Sequence, residues 1–175
     1  MWLNLPDPLS RVLRPLFETL PLQQAMTDLV VSVNGQAATK PVALVEKLIQ
    51  DEALRHRPEL IAGLWLYVDE LDRSHVVSQK LQTPTGSFWH AIMHRREGDF
   101  DNSRYWYRRA GRHPAMRRID LAGGGAASGT SEGEFDPYEF VDRVQRAHAR
   151  GERQGDLVAL QHREWAALFE WCAEH

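Results

Sequence analysis

Apolar residues recur along this chain at helical spacing, and no segment alternates with the two-residue period of a half-buried strand. After Asp7-Pro8, the residues Leu9, Val12, Leu13, Leu16, Phe17 and Leu20 line one face of a first amphipathic helix, with Pro15 set to kink it. Pro21 opens a second predicted helix, with Leu22, Ala25, Met26, Leu29, Val30 and Val33 on one side and Asn34-Gly35 as its stop. Its Val-rich end also fits a short strand. Pro41 stands in the first turn of a third helix, followed by Val42, Val45, Leu48 and Ile49. Pro58 opens a long helix whose stripe is Ile61, Leu64, Trp65, Val68 and Leu71. Continued by further turns, that stripe lands on His75 and Gln79, so it becomes polar while still pointing inward.

Thr83-Pro84-Thr85-Gly86-Ser87 reads as a turn leading into a helix over 88–97, which Gly98-Asp99 breaks. Residues 102–110 form the next predicted helix, ended by Gly111, and His113-Pro114 reinforces the stop. Ala122 to Glu134 is a Gly-rich loop without a bulky apolar side chain. Asp136-Pro137 is an N-cap with a first-turn proline; Tyr138, Val141 and Val144 follow, and Gly151 ends that helix. Asp156 is expected to cap the last helix, whose core face carries Leu157, Leu160, Trp165, Leu168 and Cys172. The pattern predicts an all-α, single-domain bundle of about seven or eight helices. A main block over 1–121 is followed by the loop over 122–134 and a C-terminal helix hairpin over 135–175 that packs on the block.

Composition narrows the function classes. The chain has 175 residues, enough for one core, and six Trp with six Phe to anchor it. Its formal net charge of −3 argues against nucleic acid as the partner. Cys172 is the only cysteine, which excludes an internal disulfide and fits a reducing, cytoplasmic setting. The N-terminus lacks the pattern of a secretory signal, and no apolar run approaches the ~18 residues of a membrane span.

The densest polar cluster is Trp89-His90-Ala91-Ile92-Met93-His94-Arg95-Arg96-Glu97-Gly98-Asp99. On a helix His90 and His94 share a face, and Glu97 lies one turn further along it. Two imidazoles at this spacing chelate a divalent metal such as zinc, and a carboxylate can complete the shell. Ala91 stands where a zinc protease of the HExxH type has its glutamate, so that assignment does not carry over. His75 offers a third nitrogen, with Asp72 one turn before it to orient the ring. Set against this, a histidine on an apolar face is more often a core residue hydrogen-bonded to a carboxylate or carbonyl. Yet three His and one Glu are much to bury without purpose.

Arginine is the second theme. Between Arg95 and Arg118 there are eight arginines against Glu97, Asp99 and Asp101. Arg104, Arg108 and Arg112 form one helical stripe beside Tyr105 and Trp106. With Arg95 and Arg96 they make a candidate site for an anionic small molecule or protein partner, since guanidinium groups grip oxyanions bidentately. The competing expectation is internal pairing with acidic residues of neighbouring helices. Glu164 and Glu170 on the last helix read as solvated charges, and Cys172 as packing.

The stretch Ser87 to Pro114 resembles a single tetratricopeptide or Sel1-like helix pair. Ala91 takes the small position of the first helix, Gly98 and Phe100 the turn, and Ser103, Tyr107 and Ala110 the small–aromatic–small pattern of the second. His90 stands at the position of the usual leucine. The resemblance covers about one sixth of the chain and implies an antiparallel helix hairpin, of a kind that binds peptides or other proteins. The chain also resembles a family of bacterial proteins that carry the same W-H-x-x-x-H-R-R-E-x-D block, a resemblance that implies no activity. Two functions are therefore expected. The first is a helical binding module with a His/Glu/Arg polar pocket. The alternative is a metal-dependent hydrolase using His75, His90, His94 and Glu97.

Overall fold

The structure, a computed structural model, describes residues 3–31, 39–119, 134–152 and 155–175. Within them the protein is all-helical: α1 is Leu9–Thr19, α2 Thr39–Leu48, α3 Pro58–Tyr67, α4 Leu71–Ser78, α5 Pro84–Glu97, α6 Phe100–Ala110, α7 Pro137–Arg150 and α8 Gly155–Glu174. No strand occurs among the described residues. The Gly-rich loop expected over 122–134 lies outside them except for Glu134, as do Val33 and the Asn34-Gly35 stop.

Helix α5 is the axis of the fold. Every residue from Gly86 to Arg96 is buried, so this helix has no solvent face. Thr83 caps its N-terminus by accepting from the Gly86 amide, and Gly98 ends it with φ +88°, a left-handed backbone that glycine adopts at no steric cost. Asp99 then caps α6 by accepting from the Asn102 amide, and α6 folds back along α5. Small residues let the two helices approach: Ser103 donates its hydroxyl to the Ala91 carbonyl at 2.9 Å. Behind α5, Gly63 of α3 sits against Trp89 and Phe169, where an added Cβ would come within 2.8 Å of the indole. Trp165 of α8 donates to the Gly63 carbonyl at 2.9 Å. Helix α8 thus packs into the core beside α3.

Three expectations need correction. The long helix expected from Pro58 breaks into α3 and α4 at Asp69, which holds φ +63°. Arg96 stabilises the break, donating to the Leu66 carbonyl at 2.9 Å and to the Asp69 carboxylate at 2.7 Å. Helix α4 turns back on α3, with the Ser74 hydroxyl on the Ala62 carbonyl, and this reversal carries His75 onto α5. The helix expected from Pro21 is only a 3-10 turn over Leu22–Gln24, after which the chain is irregular through Val31. Its carbonyls serve other elements: Met26 and Asp28 accept from Gln161, Asp28 also from Arg96, and Ala25 contacts the His162 ring. A helix would have consumed those acceptors internally. Finally, Asp156 is inside the first turn of α8 and pairs with Arg143 at 2.6 Å.

Candidate metal centre

Helix α5 carries four ionisable side chains into the interior, and they fall into two groups. Arg95 has no exposed surface. It donates to Glu164 at 2.6 Å and to the Tyr107 hydroxyl at 2.7 Å, and its guanidinium lies 4.2 Å from the centre of the Phe140 ring. Tyr107 closes the triangle by donating to the other Glu164 oxygen at 2.5 Å. Burial works against the charge of Arg95, but Glu164 and Tyr107 together outweigh it and hold the guanidinium ionised. Arg96 is equally buried and ties α5 to Leu66, Asp28 and Asp69. Neither arginine is available to an external ligand, which corrects the expectation that they help to form an anion site. Glu164, expected to be solvated, is fully buried as the counter-charge of Arg95. Its position was readable: it lies four residues from both Leu160 and Leu168, on the core stripe of α8.

The second group consists of His90 and His94, with His75 brought in by α4. One ring nitrogen from each of the three lies within 4.8 Å of those of the others. The rings of His90 and His94 stack at 4.8 Å, and that of His75 stands edge-on at 4.7 Å from His90 and 5.5 Å from His94. Trp106 of α6 covers His90, stacked at 4.0 Å. Of the six nitrogens on these rings, only His94 Nδ1 makes a hydrogen bond among the described residues: it donates to Glu97 Oε1 at 2.5 Å. His90 Nδ1 is fully buried and has no partner there. Burial, reinforced by the neighbouring imidazoles of His94 and His75, pushes the His90 pKa down to about 3. His90 is therefore neutral at physiological pH, the form that ligates metals.

His113, just past the C-terminus of α6 and against the start of α5, is the foil. It is as buried as His90, yet both of its nitrogens are used: Nδ1 accepts from the Ala115 amide and Nε2 pairs with the Thr85 hydroxyl. Burial, with a smaller contribution from His175, lowers its pKa to about 4.

The geometry divides the residues expected to hold a metal. His75, His90 and His94 come together. Glu97 does not join that trio but stands beyond His94, grouped with Asp99, where its carboxylate fixes the tautomer of His94 and leaves Nε2 as the free nitrogen. Asp72 is exposed and makes no hydrogen bond to His75 among the described residues. Zn–N bonds of ~2.1 Å at tetrahedral angles put ligand nitrogens about 3.4 Å apart. Small side-chain rotations would therefore have to draw the trio inward from its 4.8 Å spread.

On the outer face of α6, Arg104 is spent internally on Asp142 at 2.6 Å, on Gln145 and on Asp101, joining α6 to α7. Tyr105 remains exposed, with the guanidinium groups of Arg108 and Arg109 5.9 and 6.0 Å from its ring. Arg109 also lies 5.4 Å from the Trp106 ring, and Arg112 is exposed one turn on. Cys172 is a packing residue whose thiol burial pushes up to about 12. No helix among the described residues is long and apolar enough to cross a membrane. Fold and site together define an all-α protein with a three-imidazole cluster of which His90 and His94 are buried and His75 is partly buried. Comparison with protein-family profiles, curated proteins and solved structures returns no match.

Proposed function

We propose that this protein binds a divalent transition metal, zinc or a close neighbour in the first row, through His75, His90 and His94. Glu97 is the outer carboxylate that orients His94, an arrangement that raises ligand basicity and fixes the ring. The observation that carries this reading is the unpartnered, fully buried Nδ1 of His90 inside a cluster of three imidazoles whose other nitrogens are almost all unused. A buried polar atom without a partner costs about 1–3 kcal/mol, and a metal ion bound at His90 Nδ1 would remove that cost. An all-nitrogen donor set favours zinc, copper, nickel or iron over magnesium or calcium. A metal held in this way is also the starting point for activating water, the chemistry of the hydrolase alternative.

Elemental analysis of the purified protein tests the reading. One equivalent of a first-row metal in the wild type, lost in His94→Ala, is the expected result. Sub-stoichiometric metal that is the same in both proteins contradicts it.

A second reading concerns the outer face of α6 as a binding surface for an anionic partner. Arg95, Arg96 and Arg104 drop out of it, and what supports it is the exposed Tyr105 flanked by Arg108 and Arg109, with Arg112 alongside. Arg108→Glu combined with Arg112→Glu should abolish binding to a polyanion column. Retention that is unchanged, or insensitive to salt, contradicts that reading.

A further inference from the structure

We infer that the fourth coordination position of this centre is open and takes an exogenous anionic donor, a carboxylate or phosphate group from outside the chain. The inference rests on the three-histidine metal reading. Structural zinc sites are closed by four protein ligands, whereas sites that handle an external ligand keep one position free. Among the described residues, no fourth His, Cys, Asp or Glu joins the His75–His90–His94 group. Glu97, the carboxylate bonded to the cluster, is already held by His94 Nδ1, on the other side of that ring from its free nitrogen.

Charge points the same way. Three neutral imidazoles leave the two positive charges of the metal uncompensated, in an interior where His90 and His94 are both buried. An anion in the fourth position balances that charge. Arg95 and Arg96, the buried cations on the same helix, are matched to Glu164 and Asp69 and add no unpaired charge of their own. Access is from the α4 side. His75 is only partly buried and follows Asp72 and Arg73, both exposed, whereas Trp106 walls off the His90 face.

Cobalt(II) reports coordination directly, because its visible bands change with ligand number and type. The full-length protein, freed of metal and reloaded with cobalt, is titrated with azide, acetate and phosphate. One equivalent of cobalt with saturable band shifts is the expected result. A response to acetate and phosphate alike shows the general oxyanion site, and a response to only one names the group preferred. Failure to take up cobalt contradicts the metal centre itself. Uptake with bands that none of the three anions moves contradicts the open position alone.

Glu97→Gln keeps all three imidazoles and removes the orienting carboxylate. It should bind cobalt about 10–100-fold more weakly and still respond to anions. If only Glu97→Gln responds and the wild type does not, Glu97 is itself the fourth ligand and the inference is overturned. His94→Ala, checked for native helicity by circular dichroism, should lose the cobalt bands altogether.

Discussion

Two pairs of side chains on α5, a single turn apart, are equally buried and differently finished. Arg95 and Arg96 enter the core, and their guanidinium groups find Glu164, Tyr107, Asp69 and two main-chain carbonyls. His90 and His94 enter beside them and find one carboxylate between them. The arginine pair is architecture: it joins α5 to α3, α6 and α8 and sets the reversal at Asp69 that delivers His75. The histidine pair contributes no comparable join. Each guanidinium keeps one unpaired Nε but anchors neighbouring elements through its terminal nitrogens, whereas the His90 ring makes no hydrogen bond among the described residues.

Breaking the arginine side should have the largest effect. Glu164→Ala strands Arg95 as an uncompensated buried charge and should lower unfolding free energy by about 3–5 kcal/mol, read from urea denaturation. Next comes the pH dependence of His113, the finished histidine. Its folded pKa of about 4 is below the ordinary 6.5, so between these values the unfolded chain takes up a proton that the native protein refuses. Stability therefore falls as pH drops from 6.5 to about 4, by about 1.4 kcal/mol per pH unit and on the order of 3 kcal/mol in all. His113→Gln should flatten that slope relative to the wild type. On the other side of the comparison, His90→Phe keeps the stack on Trp106 and removes the orphaned nitrogen. The metal-free variant should be more stable than the metal-free wild type by about 1 kcal/mol. Smallest of all, Asp142→Asn loosens the half-exposed tie to Arg104 and should cost no more than about 1 kcal/mol in the same denaturation assay.

Much of this was legible in the residues. The three-to-four spacing of apolar positions, with the turn and breaker residues between them, marks helices in the places now called α1, α2 and α5 to α8, and the cap at Asp136 follows from a side chain that accepts from exposed amides. Thr83 and Asp99, read as turn and breaker, also cap α5 and α6. The break between α3 and α4 was not legible. No glycine or proline marks it, and what stabilises it is Arg96, some 27 residues further along the chain. The Pro21–Val31 segment was misread for a related reason: its acceptors are claimed by Arg96 and Gln161, partners that local periodicity does not see. Of the candidate site, His90 and His94 were evident from their spacing on one helix, and His75 from a stripe that turned polar while facing inward. Trp106 as the cover of His90 and the outer role of Glu97 depend on how α6 packs and on which nitrogen of His94 is occupied, and both are tertiary facts. The arginines were the hardest to place, because a guanidinium looks the same in sequence whether its carboxylate lies across a helix interface or in a ligand.

The most direct test is the linkage between zinc and folding stability in the wild type and in His90→Phe. If the unfinished cluster is a metal centre, free zinc at a hundredfold excess over its dissociation constant stabilises the wild type by about 2.7 kcal/mol and leaves His90→Phe where it was. An unfolding transition that zinc does not move in the wild type, or moves equally in both proteins, contradicts the account.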